Sequence, residues 1–162
     1  MPLLHSALKL IDKIYPANIA YAHCDIPCGI YDPHMAQMAA HTVIRMITLI
    51  GESKGDAHKI ARLTRVKEEH AELCKHEIRI LWGDYFKLEH LKKYPDLHEL
   101  VWKVMKLGSK TKQEVNMESA GELLEAVNKI AEIFWKTKDM ATVRYNAPYP
   151  TGNETVYPTS KK

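Results

Sequence analysis

From Pro33 onward the chain repeats apolar residues at three- and four-residue steps. Met35, Met38, Ala39, Val43, Met46, Ile47 and Ile50 form one stripe, closed by Gly51, which is the signature of an amphipathic helix. A second run starts near Asp56. It sets Leu63, Val66, His70, Leu73, Glu77, Leu81 and Tyr85 on one face, and no Gly or Pro interrupts it before Gly83. A third follows Pro95, with Asp96 as its cap, Leu97, Leu100, Val101, Val104 and Met105 facing inward, and Gly108 as its stop. The fourth carries Leu123, Leu124, Val127, Ile130, Ala131 and Phe134.

Between Pro33 and Lys138 no stretch alternates with period two over a useful length, so strands are not expected there. Helices apolar on one stripe and joined by short links bury those stripes against one another. The predicted fold is therefore all-α, an antiparallel four-helix bundle. The segment from Pro16 to Pro33 is irregular, broken by Pro27, Gly29 and Pro33. The tail 139–162 is rich in Pro, Tyr, Thr and Asn without periodicity, and reads as irregular, either disordered or laid over a neighbouring subunit.

Composition narrows the function classes. The chain has 162 residues, 46% of them hydrophobic, which suits one domain able to bury roughly 68–70% of its unfolded surface without a disulfide framework. Its 23 basic and 20 acidic residues are spread evenly, for a net charge of +3. No basic face or tail points to nucleic acid. No apolar run approaches the ~20 residues that span a bilayer, so neither a membrane nor a nucleic-acid partner is expected. Three cysteines are too few for a secreted scaffold. Cys74 falls within the second helical run and reads as a small core residue. Residues 1–22 end in Ala20-Tyr21-Ala22, like a signal-peptidase site, but Lys9, Asp12 and Lys13 interrupt any apolar signal region. They read as a removable, non-secretory leader on a cytoplasmic protein. An ordinary amphipathic helix from Leu3 to Ile14 is the alternative.

The chemistry concentrates in His23-Cys24-Asp25-Ile26-Pro27-Cys28. Two thiols four residues apart across a proline can reach one metal ion. That spacing alone fits a disulfide, half a zinc site or an iron–sulfur fragment as well as a nickel site. The preceding histidine sharpens the picture if the chain is cut before it. The free amine of His23 and the deprotonated amide of Cys24 would then close a five-membered chelate ring, and the Cys24 thiolate a second. With the Cys28 thiolate they make a square of two nitrogens and two sulfurs, the tetragonal set of nickel(II) or copper(II). The His23 imidazole can approach axially. Binding requires loss of protons, so assembly is expected to depend on pH.

His23-Cys24-Asp25-Ile26-Pro27-Cys28-Gly29-Ile30-Tyr31-Asp32-Pro33 resembles the nickel hook of the nickel superoxide dismutases. The likeness continues in Leu81-Trp82-Gly83-Asp84-Tyr85-Phe86-Lys87, in Lys93-Tyr94-Pro95-Asp96-Leu97-His98 and in Ile133-Phe134-Trp135-Lys136-Thr137-Lys138. It implies an N-terminal metal-binding hook on the bundle, with a domain of residues 23–138. It also implies removal of the leader by a maturation protease cutting before His23, a homohexamer, one nickel ion per subunit, and disproportionation of superoxide to oxygen and hydrogen peroxide. The implied metal ligands are His23, Cys24 and Cys28. Tyr31, and with less support Tyr85, are implied to cover the open axial face. Pro27 sets the turn, and Asp25 and Lys87 are candidates for site electrostatics.

Two positions depart from the family pattern. Ala39 stands where a glutamate commonly holds the axial imidazole, and His70 where an arginine does. His70 is therefore the candidate partner for His23, directly or through a water in the space beside Ala39, with His41 as the fallback. Readings from other classes are a non-catalytic nickel- or copper-binding protein, and a helical thiol-redox protein in which Cys24 and Cys28 form a disulfide.

Overall fold

The computed structural model of the chain describes residues 28–159. The leader, His23, Cys24, Asp25 and Pro27 lie outside them. The described residues form α1 (His34–Gly51), α2 (Ala57–Ile80), a π-helical turn (Leu81–Tyr85), the short α3 (Leu88–Lys93), α4 (Leu97–Gln113), α5 (Met117–Thr137) and the strands β1 (Ala141–Asn146) and β2 (Glu154–Thr159).

The four long helices pack in a ring in the order α1, α2, α4, α5, with α5 returning to α1. Short turns join α1 to α2 and α4 to α5, which makes each pair antiparallel. The bundle expected from the periodicity is present. Two helix starts carry side-chain caps: Asp56 accepts from Lys59 N at 3.0 Å, and Asn116 accepts from Ser119 N at 2.9 Å. Asp96 stands at the N-cap of α4, but its side chain makes no capping bond.

The inward residues of α5 are as the periodicity predicts: Leu123, Leu124, Val127, Ile130, Ala131 and Phe134 are all buried. Each large one contributes about 1.5–3 kcal/mol relative to exposure. On α2 the buried stripe is Lys67, Ala71, Cys74 and Ile78, one residue round from the predicted face, so Val66, His70, Leu73 and Glu77 sit at its margin. Gly108 does not end α4, which runs on to Gln113. A Cβ at Gly108 would come within 2.6 Å of Lys75 Cγ, so the glycine serves close approach to α2.

The larger correction is the tail. Residues 141–159 are an antiparallel hairpin, with Val143 opposite Tyr157 and Arg144 opposite Val156. It lies over the chain's own bundle. Gln37 Nε2 donates to Val156 O at 3.2 Å and to Asn128 Oδ1 at 2.9 Å, and Asn128 Nδ2 donates to Glu154 O at 3.0 Å. Arg144 pairs with Glu132 and Glu125 of α5, each at 2.7 Å. This cover explains α1: Gln37 and His41 are buried beneath the hairpin, whereas Met35 and Met38, predicted inward, are half exposed. Among the described residues no helix is long and apolar enough to cross a membrane.

Candidate metal centre

Of the three predicted ligands, Cys28 is the one among the described residues. It is exposed, and its sulfur accepts the Ile30 N–H at 3.4 Å. Gly29 makes that contact possible. Its φ of +70° turns the chain so that the next amide faces back to the sulfur, a conformation that costs a residue with a Cβ more than glycine. An amide N–H on the sulfur favours the thiolate, the form that binds a metal. Asp32 Oδ1 then accepts from His34 N at 2.7 Å, fixing the passage from the arm into α1.

Tyr31 lies between these two anchors and packs against the core. Its ring meets that of Tyr85, with centroids 5.4 Å apart and planes inclined by 52°. Tyr85 owes its position to the π-helical turn, closed by Phe86 N donating to Leu81 O at 3.0 Å. A π turn adds a residue to the helical register and re-aims the side chains that follow. The Tyr85 ring also packs on Phe134 at 4.6 Å and stacks on His90 at 5.7 Å. Its hydroxyl lies 2.6 Å from Thr137 Oγ1. Lys138 Nζ stands 5.1 Å from the centroids of both Tyr85 and Phe134, a cation over these two rings.

The structure thus brings Tyr31 and Tyr85 together just after the Cys28 arm. His70 is elsewhere on α2, fifteen residues before Tyr85, or about 20 Å of helix. It is partly buried, with Nδ1 2.9 Å from Val66 O. A carbonyl can only accept, so Nδ1 carries the proton and Nε2 of the neutral ring is an acceptor. Ala39 is buried in the core cluster. His41, the fallback partner, has both ring nitrogens engaged by the hairpin: Nδ1 with Thr151 Oγ1 at 2.8 Å and Nε2 with Thr155 Oγ1 at 2.7 Å. Its assignment as a partner of His23 is thereby withdrawn, because neither nitrogen is open to another group.

Sequence reasoning missed His90, Thr137 and Lys138 as neighbours of Tyr85. Thr137 and Lys138 lay within a quoted motif, but nothing local shows that the end of α5 meets the π turn. Among the described residues no three His, Cys, Asp or Glu side chains converge on a point where an ion could sit. The bundle supplies no metal site there, and Cys28 is the described residue that can contribute one.

A four-helix bundle with an exposed thiol on its N-terminal arm and a tyrosine pair following it in the chain defines a helical protein whose one solvent-facing described thiol lies outside the core. The profile of the nickel-containing superoxide dismutase family matches residues 18–138. The nickel superoxide dismutase of Streptomyces coelicolor is 41% identical over 130 residues, 80% of this chain and 98% of that protein. That of Streptomyces seoulensis is 41% identical over 117 residues, 72% and 88% respectively. A solved structure of native nickel superoxide dismutase superposes with a TM-score of 0.69 at 40% identity, over 72% of this chain and 99% of that one. The chain belongs to the nickel-containing superoxide dismutase family. Its hairpin follows the last residue that the family profile matches.

Proposed function

We propose that the mature chain begins at His23 and disproportionates superoxide to oxygen and hydrogen peroxide at a nickel ion held by His23, Cys24 and Cys28. The observation that supports the site assignment is the Tyr31–Tyr85 contact, made by a ring three residues past the exposed Cys28. The donors fit nickel: thiolates are soft donors and a deprotonated amide is a strong one, a set suited to a tetragonal ion. When bound, nickel supplies a one-electron couple that superoxide can both reduce and oxidise.

The chain's own residues do the rest. The Ile30 amide steadies the Cys28 thiolate against protonation. Tyr31 and Tyr85 wall one side of the cleft, leaving room for very small species. Lys138, with Lys87 on the segment after the π turn, sets positive charge where an anionic substrate arrives. If the first residues of the arm reach back along α2, His70 offers Nε2 as the acceptor that a ligating imidazole needs for its second nitrogen, in place of the absent carboxylate. Removal of the leader frees the His23 amine, which as an amide would be a poor donor. Assembly as a homohexamer, maturation by a protease cutting before His23 and a cytoplasmic location complete the reading.

The test is intact mass, nickel content and superoxide turnover of the full chain beside protein starting at His23. Activity per nickel is expected only in the shorter form, and equal activity in both would overturn the reading. A Cys24–Cys28 disulfide in place of bound nickel would favour a thiol-redox protein. His70→Ala is expected to lower turnover about 10–100-fold while keeping nickel. Unchanged turnover returns His70 to a structural role.

A further inference from the structure

At the end of α5 the helix tightens: Lys138 N bonds Trp135 O at 3.0 Å, three residues back instead of four. The Phe134 carbonyl is thereby left without its usual backbone donor. Thr137 Oγ1 supplies one, donating to Phe134 O at 2.6 Å. A threonine hydroxyl has a single proton, so toward Tyr85 the same oxygen can only accept. The 2.6 Å contact between the two hydroxyls therefore has one direction: the Tyr85 phenol donates and Thr137 accepts.

We infer that Thr137 is a positioning residue for the dismutase reaction: by accepting the phenolic hydrogen bond it fixes Tyr85 as a hydrogen-bond acceptor toward the metal site. The chain of donors runs from Tyr85 to Thr137 to the Phe134 carbonyl and stops there. While it is intact, Tyr85 does not hand its proton to superoxide. It accepts instead from a protonated species in the cleft, such as water or the hydrogen peroxide product. The protons consumed in making peroxide then enter from solvent or from other groups. Three sequence-distant elements meet here, the arm through Tyr31, the π turn through Tyr85 and the last residue of α5 through Thr137. The inference rests on the proposed placement of Tyr85 at the reaction cleft.

The test compares Thr137→Val, which keeps the shape and loses the hydroxyl, with Thr137→Ser, which keeps it. In nickel-free protein, the Tyr85 hydroxyl proton is expected as a slowly exchanging NMR resonance, lost in Thr137→Val and recovered in Thr137→Ser. In nickel-loaded protein, turnover is expected to fall about tenfold or more in Thr137→Val, since small misplacements of a site group are costly, and to recover in Thr137→Ser. Wild-type turnover in Thr137→Val, or a Thr137→Ser enzyme as slow as Thr137→Val, would overturn the inference. Tyr85→Phe separates it from the reading beneath: a slow Tyr85→Phe beside a normal Thr137→Val removes only the role of Thr137. A Tyr85→Phe enzyme with unchanged turnover removes Tyr85 from the site, and Thr137 with it.

Discussion

Tyr31 and Tyr85 are 54 residues apart in the chain, yet their rings touch at 5.4 Å between centroids. One comes from the arm that carries Cys28, the other from a π-helical turn that breaks the register of α2. Neither could reach the other if α2 simply continued as an α-helix into α3. The contact ties the position of the arm that carries Cys28 to the bundle.

The two described cysteines, Cys28 and Cys74, differ in environment, one exposed and the other buried. Burial pushes the Cys74 thiol up to about 12, with Glu77 adding to the effect, so Cys74 stays protonated and inert. Cys28→Ser is expected to abolish nickel-dependent turnover. Cys74→Ala is expected to cost about 1 kcal/mol of stability with turnover intact. Metal analysis and turnover on both variants check this, and a Cys74→Ala protein without activity would refute the assignment.

His41 predicts a pH response. Burial lowers its pKa below the usual 6.5; a backbone hydrogen bond with Glu154 opposes this, and the nearby His34 lowers it further. The unfolded chain therefore takes up a proton near pH 6.5 while the folded one resists it. Stability should fall as pH drops through that range, levelling once the folded imidazole also protonates. Melting temperatures of wild type and His41→Asn between about pH 7.5 and 5 measure it. The wild type should show the steeper loss, and parallel curves would refute the prediction.

Lys67 is buried, with Nζ donating to the carbonyls of Thr111, of Lys112 at 2.8 Å and of Glu114 at 3.1 Å. These are carbonyls that the end of α4 leaves unpaired, and burial lowers the Lys67 pKa. Lys67→Met is expected to lose roughly 2–3 kcal/mol. A lower urea midpoint with unchanged slope would record it, and an unchanged midpoint would show that the carbonyls find other partners.

Ending the chain after Asp139 removes the hairpin and leaves the bundle. Gln37, Asn128 and His41 lose partners, and Arg144 no longer bridges Glu125 and Glu132. The melting temperature is expected to fall by about 5–10 °C with helical content retained. Calorimetry and far-ultraviolet circular dichroism check both halves, and an unaltered melting temperature would make the hairpin an appendage.

The bundle was legible because 3.6-residue periodicity is a local signal, and all six residues it turns inward on α5 are buried, although the polar Asn128 beside them was not foreseen. Gly108 misled because a glycine that admits a neighbouring helix looks in sequence like one that ends a helix. The hairpin was hidden for a different reason. Its strands are six residues each, polar, and interrupted by Pro158, and what holds them is Gln37, Asn128, Glu125 and Glu132, none nearby in sequence. Tyr31 could be read from the arm motif. The partners of Tyr85 could not, since Thr137 reaches it only once α5 has folded back to the π turn.

The hairpin also bears on when the protein can finish folding. Gln37 and His41 sit near the beginning of the bundle and are satisfied by residues 151–156, made more than a hundred residues later. Until that segment emerges, the outer side of α1 holds polar groups that must stay hydrated, and the α1–α5 seam lacks its cover. Closure of the domain therefore waits until the hairpin has been made. A chain stalled before the hairpin would carry the Cys28 arm on a scaffold not yet sealed.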